Sequence, residues 1–237
     1  MNPLQHNEVL GRKIRMDDVE RLGIPTHDLV EEALTDGHLD EAIDLVEYYH
    51  QEMRTMHDIL RTWITDLLRY ITDRKGAESV EATNLTSQLL ITWDQFPFGV
   101  QLRDSCLEAI RGIDDAVAAA DTESIDRATD LLERMRLEFK NPHEVLVAWI
   151  QDLLTYMATE FGEESVLESI LETHQSIWGD RYESWEQLTP HARLALTVEG
   201  MRGGHFSGDS RKGNMTLLDQ GDRYKMIMEL CGSGGVL

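Results

Sequence analysis

The residues best suited to chemistry gather at one end of the chain. Cys231 stands in Cys231-Gly232-Ser233-Gly234-Gly235, a thiol on a very pliable backbone, and such a loop lets a ligand approach the main chain closely. Upstream, Gly203-Gly204-His205-Phe206-Ser207-Gly208-Asp209-Ser210-Arg211-Lys212-Gly213 follows Arg202. Its glycines can present backbone amides, and its cations can hold an anionic group. Cys231 as nucleophile or metal ligand, His205 as base or second ligand, and Arg202, Arg211 and Lys212 as an anion clamp would make a tail site. The ordered glycine, lysine and hydroxyl pattern of a phosphate-binding Walker loop is absent. A solvent-exposed linker is the plainer reading of the same glycines.

A second set lies in the middle of the chain. Glu47-Tyr48-Tyr49-His50 has the i, i+3 carboxylate and imidazole pair of dimetal helical bundles, seven residues before His57. His57 and His143 occupy matching positions of two related helices, where they could ligate a haem or a metal; the alternative is local hydrogen bonding and packing. A symmetric dimetal centre is excluded, because the counterpart of the Glu47 pair is Glu133-Arg-Met-Arg136 and an arginine does not ligate. Glu168, Glu172 and His174 could complete an asymmetric set. A metal ion is thus the one cofactor that both the tail and the body suggest, and its identity is open.

The elements that would position these residues are built twice. His57-Asp-Ile-Leu-Arg-Thr-Trp63-Ile-Thr-Asp66-Leu-Leu-Arg-Tyr70 returns as His143-Glu-Val-Leu-Val-Ala-Trp149-Ile-Gln-Asp152-Leu-Leu-Thr-Tyr156, displaced by 86 residues. Asp40-Glu-Ala42-Ile-Asp44-Leu45 likewise aligns with Asp126-Arg-Ala128-Thr-Asp130-Leu131, and Gly76 with Gly162. Self-similarity at a fixed spacing signals a repeated structural unit, and a period of 86 is far from the roughly 34 residues of a tetratricopeptide unit. Each copy is expected to hold three helices. The first runs from about Leu39 to Arg54 and from Ile125 to Lys140, the second starts near His57 and His143, and the third ends near Trp93 and Trp178. Thr55 and Asn141-Pro142 read as helix starts, and Gly76 and Gly162 suit the position just past a helix end.

Within the second helices, His57, Leu60, Ile64, Leu67, Ile71 and His143, Leu146, Ile150, Leu153, Met157 form core stripes at alternating three and four spacing. An adjacent stripe carries Trp63, Asp66 and Tyr70, and equivalently Trp149, Asp152 and Tyr156, whose aromatic residues are candidates for ligand contact. Asp66 and Asp152 are expected to accept hydrogen bonds from a neighbouring Trp or Tyr. The expected fold is mainly α, a pseudo-twofold helical bundle of duplicated three-helix repeats with a small C-terminal α and β-hairpin appendage. Its parts are an N-terminal arm and short helix over 1–26, a body over 27–183 with repeats at about 27–96 and 113–180, and a tail over 184–237. In that tail Thr189-Pro190 should start a helix to about Arg202, and 214–230 should form a hairpin around Asp219-Gln220-Gly221-Asp222. Tyr224, Met226, Met228 and Leu230 give it an apolar face.

Charge is distributed unevenly. Of a net −22, six acids and six bases lie from Ser184 onward, leaving 38 acids and 16 bases in the helical part. Such a body repels phosphate backbones, which argues against nucleic acid and suits a protein partner with a basic surface, or a homo-oligomer, beside the plain reading of a solvated face. No segment approaches the roughly 18 uninterrupted apolar residues of a membrane span and no leader is evident, so a soluble, cytoplasmic chain is expected. Its two cysteines, Cys106 and Cys231, are expected as thiols, Cys106 as a small buried one.

The duplicated His-x5-Trp-x6-Tyr helices followed by a hairpin ending in Cys231-Gly232-Ser233-Gly234-Gly235 resemble a little-characterised bacterial family in which that segment leads into a longer tail bearing Cys and His. The resemblance implies a metal or thiol centre completed by later cysteines, and it carries no established activity. This chain departs from that picture by stopping at Val236-Leu237, which puts the four-ligand zinc site that the resemblance implies in doubt. Two functions follow. One is a small-molecule- or metal-binding protein, an enzyme or not, with its site where the tail meets the helices. The other is a non-catalytic acidic accessory subunit of a larger complex.

Overall fold

The computed structural model describes residues 2–76, 99–113, 121–179, 182–205 and 215–227. Among these the chain is mainly helical, with two small antiparallel hairpins. Strands β1 (Leu4–Asn7) and β2 (Arg12–Arg15) are followed by α1 (Val19–Leu22), α2 (Thr26–Thr35), α3 (Leu39–Lys75), α4 (Val100–Arg111), α5 (Thr122–Phe161), α6 (Glu163–Trp178), α7 (Tyr182–Gln187) and α8 (Pro190–His205). Strands β3 (Thr216–Asp219) and β4 (Tyr224–Ile227) follow. The third helix expected to end near Trp93, the Gly-rich stretch over 206–214, Met228 and Leu230 lie outside the described residues. Among the described residues, no helix is long and apolar enough to cross a membrane.

Two compact units divide the chain: Met1–Met56, Phe98–Asn141 and Gln187–Leu237 form one, and His57–Pro97 with Pro142–Glu186 the other. The helix breaks expected before His57 and His143 do not occur. In each copy the first and second helices are one rod, 37 residues long in α3 and 40 in α5. The reason lies in the buried stripe, which runs through both junctions without losing register: Met53, His57, Leu60 in one rod and Phe139, His143, Leu146 in the other, all at most 4% exposed. The Thr55 hydroxyl does not cap a new helix; it donates to the Gln51 carbonyl at 2.9 Å. Pro142 sits inside α5, where it lacks an N–H for the ladder. Acids in the first turn of α3 (Asp40, Glu41) and bases in its last (Arg74, Lys75) complement the helix dipole.

In the first unit, the C-terminal hairpin packs onto helices, as a lone two-stranded ribbon must. Leu217 and Met215, with half-buried Tyr224 and Met226, close a core made with Val19, Leu22, Leu194, Ala195 and Val198. Thr189 caps α8 by accepting from the Ala192 amide at 3.2 Å. The N-terminal arm, expected only as an arm and short helix, also forms a hairpin, with Leu4 opposite Arg15 and Asn7 opposite Arg12. Its strands are four residues each and mostly polar, so they carry little of the alternation that marks a strand.

Gly23 is where the C-terminal segment comes closest to α1. Its carbonyl accepts from the Met215 amide at 3.1 Å, and a Cβ there would lie 2.1 Å from the Met215 carbonyl oxygen. Gly23→Ala should therefore lower stability by about 1–3 kcal/mol through overpacking, seen as a lower urea midpoint. Gly200→Ala, in α8 where a Cβ meets nothing within 4 Å, should raise stability by up to about 1 kcal/mol from helix propensity. Equal effects of the two would contradict this packing.

Candidate functional site

The proposed tail site is only partly within view. Cys231, Arg211, Lys212 and the side chain of His205 lie outside the described residues. Arg202 is described, and it is buried at 3% exposure. Its Nη1 donates to Glu52 Oε1 at 2.9 Å and its Nη2 to the Leu22 carbonyl. Burial pushes the Glu52 carboxyl up and the Arg202 guanidinium down, and their mutual attraction opposes both shifts. This guanidinium thus serves to join α8 to α3 and to the end of α1 rather than facing solvent.

Around it the first unit contains polar contacts that sequence reasoning missed. Glu199, 2% exposed, accepts from the Tyr48 hydroxyl at 2.8 Å and from Arg12 at 2.8 and 3.1 Å. Burial, and then the Glu199 and Glu52 charges, raise the Tyr48 hydroxyl well above its ordinary pKa. Arg15, fully buried, is bonded to Asp17 at 2.5 and 3.2 Å and to the carbonyls of Ile24 and Arg21, both at 2.6 Å. The partners lie 150 residues apart for Glu52 and Arg202 and 187 for Arg12 and Glu199. No local spacing signals such pairs.

Among the body candidates, the structure brings His57 and His143 together. Both are 1% exposed, and their rings stack with centroids 5.8 Å apart and planes inclined by 27°. Burial lowers the His143 pKa from 6.5 to about 4, so the ring is neutral at pH 7. His50 is buried and meets Phe139 edge-on at 5.8 Å, while Glu47 on the same helix is exposed. Glu168 accepts from the Tyr70 hydroxyl at 2.6 Å and from Arg74 at 2.9 Å, and His174 Nδ1 lies 3.1 Å from the Tyr182 hydroxyl. Among the described residues no group of three or more His, Cys, Asp or Glu side chains is placed to hold a metal ion.

The aromatic and acidic stripe differs between the copies. Asp66 is buried and accepts from Arg69 at 2.6 Å, with no Trp or Tyr donor to it among the described residues, whereas Asp152 is exposed. Trp63 and Trp149 are both half-buried. The Trp63 indole N–H has no hydrogen-bond partner among the described residues. Tyr70 is buried with the Arg74 guanidinium 3.4 Å above its ring, and desolvation, then its bond to Glu168, pushes its pKa up to about 12. Tyr156 is 36% exposed and holds the Lys75 ammonium 5.5 Å from its ring. These residues join helix ends within the second unit. Cys106 is buried, donates to the Ala128 carbonyl at 3.5 Å, and has its thiol pKa pushed up to about 12 by burial, which makes it inert.

The site the sequence did not single out is a cleft of about 350 Å³ in the first unit, lined by α2, α3 and α5. Its carboxylates, Glu31, Asp126, Asp130 and Glu133, share a concavity with His27 and Tyr49. The turn spacing of Asp126, Asp130 and Glu133 was a usable signal, which the overall excess of acid obscured. No family model, curated protein or solved structure matches the chain.

Two outcomes are expected. Arg202→Met strands the Glu52 carboxyl and should destabilise the fold by about 3–5 kcal/mol, largely restored by adding Glu52→Leu; an anion-binding surface arginine would change the urea midpoint little. For His143, a folded pKa below the unfolded one means that its stability contribution is complete above pH 6.5 and is lost as pH falls toward 4. The loss should total roughly 3 kcal/mol, and His143→Leu should flatten the stability curve over that interval; an unchanged curve would refute the buried neutral ring.

Proposed function

We propose that the protein is a non-catalytic accessory subunit that engages a partner through α6. The observation that carries this reading is the way that helix faces. α6 buries Ser165, Ser169 and Thr173 and leaves Leu167 62%, Leu171 61% and Ile170 36% exposed. An amphipathic helix in a self-sufficient fold does the reverse. The buried hydroxyls of Ser165 and Ser169 bond to backbone carbonyls of Gly162 and Val166 at 2.6 and 2.9 Å, so a small polar stripe lies inward without exposed desolvation cost at those two positions.

Leu167, Ile170 and Leu171 stand at i, i+3 and i+4 and form one patch. The helix bears Glu163, Glu164, Glu168 and Glu172 and no Lys or Arg. An apolar strip with an acidic rim complements an amphipathic segment whose apolar anchors are bordered by Lys or Arg. The partner is therefore a protein with a basic surface, in keeping with the net −22.

The proposal includes an internal duplication with pseudo-twofold symmetry. Its support is that eleven aligned pairs, from Ala42 and Ala128 through His57 and His143 to Ile71 and Met157, are buried in both copies, and that Gly76 and Gly162 follow the two rods with φ of 85° and 90°. The copies have diverged at the stripe of Asp66 and Asp152.

Leu167→Asp with Leu171→Asp tests the reading. Exposed positions should leave the urea midpoint within about 0.5 kcal/mol of the parent. Binding of an amphipathic Lys/Leu helical peptide, read by fluorescence anisotropy, should weaken at least about tenfold, and a Glu/Leu peptide of the same apolar face should not bind the parent. A large loss of stability in the double variant would place those leucines inside an assembly of this chain and refute the basic partner.

A further inference from the structure

The cleft in the first unit has the chemistry of a receptor for an organic cation. His27 and Glu31 reach it from one turn of α2, Tyr49 from α3, and Asp126, Asp130 and Glu133 from α5 at spacings of four and three. Its carboxylates are incompletely compensated. Glu133 is bound by Arg136 at 2.7 and 2.8 Å and Asp130 has Arg134 at 3.9 Å, but Glu31 and Asp126 make no ion pair among the described residues. Like charges gathered in a concavity raise the local concentration of cations.

A second observation points to a donor. His27 is 5% exposed, and its Nε2 lies 2.9 Å from Asp28 Oδ1. Neither Nδ1 nor Nε2 has a hydrogen-bond partner among the described residues, although both are buried, and each tautomer of an imidazole leaves one of the two an unsatisfied acceptor. A buried acceptor beside uncompensated carboxylates is complemented by a group that both donates hydrogen bonds and carries positive charge. A bare metal ion fits less well, since no three His, Cys, Asp or Glu side chains among the described residues are placed to ligate one. Tyr49 and Leu132 also give the cleft an apolar wall, which suits methylene groups.

The aligned position in the first copy supplies a precedent inside the same chain. Asp44, the sequence counterpart of Asp130, receives the Lys13 ammonium at 2.7 Å. We infer that the cleft binds the alkylammonium group of a small free di- or polyamine, with the ammonium between His27 and the carboxylates of Glu31 and Asp126 and the methylenes along Tyr49 and Leu132. This site belongs to the first unit and does not depend on the α6 reading.

Isothermal titration of the full chain with spermidine, in salt of roughly 0.15 M to suppress diffuse attraction, tests it. One saturable site is expected. Asp126→Asn and Glu31→Gln should each weaken it by about fivefold or more, the effect of one lost charge-assisted hydrogen bond, while Glu164→Gln on α6 leaves it unchanged. All three variants replace side chains with isosteres, and a circular-dichroism melt matching the parent establishes that each is folded. The inference is overturned if the parent shows no saturable site or if Glu164→Gln weakens binding as much as Asp126→Asn. Equally tight binding of Nα-acetyl-lysine amide would assign the cleft to a lysine side chain and overturn the free polyamine.

Discussion

Everything else in the fold depends on two buried stripes that do not break. Along α3 and α5 the inward positions advance by three and four residues through Met53, His57 and Leu60, and through Phe139, His143 and Leu146. A helix ends where its apolar face ends or where its backbone finds a better partner. At neither junction does the face end, and Thr55 satisfies itself on the Gln51 carbonyl within the helix. Two rods of 37 and 40 residues result, and each gives its N-terminal part to one compact unit and its C-terminal part to the other. The histidines that lead each second half are therefore stripe residues before they are anything else, and their stacking follows from the register that the apolar neighbours impose.

The first unit is assembled by a different kind of force. Its short elements could not hold themselves: two hairpins of four-residue strands and a four-residue helix bury little apolar surface. The C-terminal hairpin is held by its apolar core with α1 and α8, and the N-terminal elements are pinned by arginines. Arg15 gathers carbonyls at the end of α1, Arg202 joins α8 to Glu52, and Arg12 ties β2 to Glu199, which also receives Tyr48. Buried pairs of this sort contribute little net stability over apolar packing, but breaking one leaves a stranded charge. They act chiefly as specifications of where each short piece must sit.

This contrast governs what was legible in the sequence. Periodicity reveals rods, so the helical class, the inward stripe and the packed C-terminal hairpin around Asp219 to Asp222 were readable. It does not reveal junctions, because a capping residue and a mid-helix threonine have the same letter, and only the continuity of burial decides between them. The N-terminal hairpin escaped because Leu4-Gln5-His6-Asn7 lacks alternation. Arg202 read as an anion binder because its neighbours are glycines; its actual partner, Glu52, is 150 residues away. α6 was misleading in the opposite direction, since Leu167, Ile170 and Leu171 have the pattern of a buried face and stand open, while Ser165, Ser169 and Thr173 lie inside.

The same pairing explains how a chain with twice as many acids as bases presents itself to others. Arg15 with Asp17 and Arg202 with Glu52 leave the surface as neutral couples. Each removes one base and one acid from solvent, so the two couples leave the excess of 22 negative charges unchanged while two fewer cations remain exposed to screen it. Where exposed acids then fall on one face, as on α6 or around the cleft of Glu31 and Asp126, no neighbouring base of the same element answers all of them. The composition sets the sign of what the protein can attract, and internal pairing, by holding short elements in place with buried arginines, leaves fewer cations outside to oppose it.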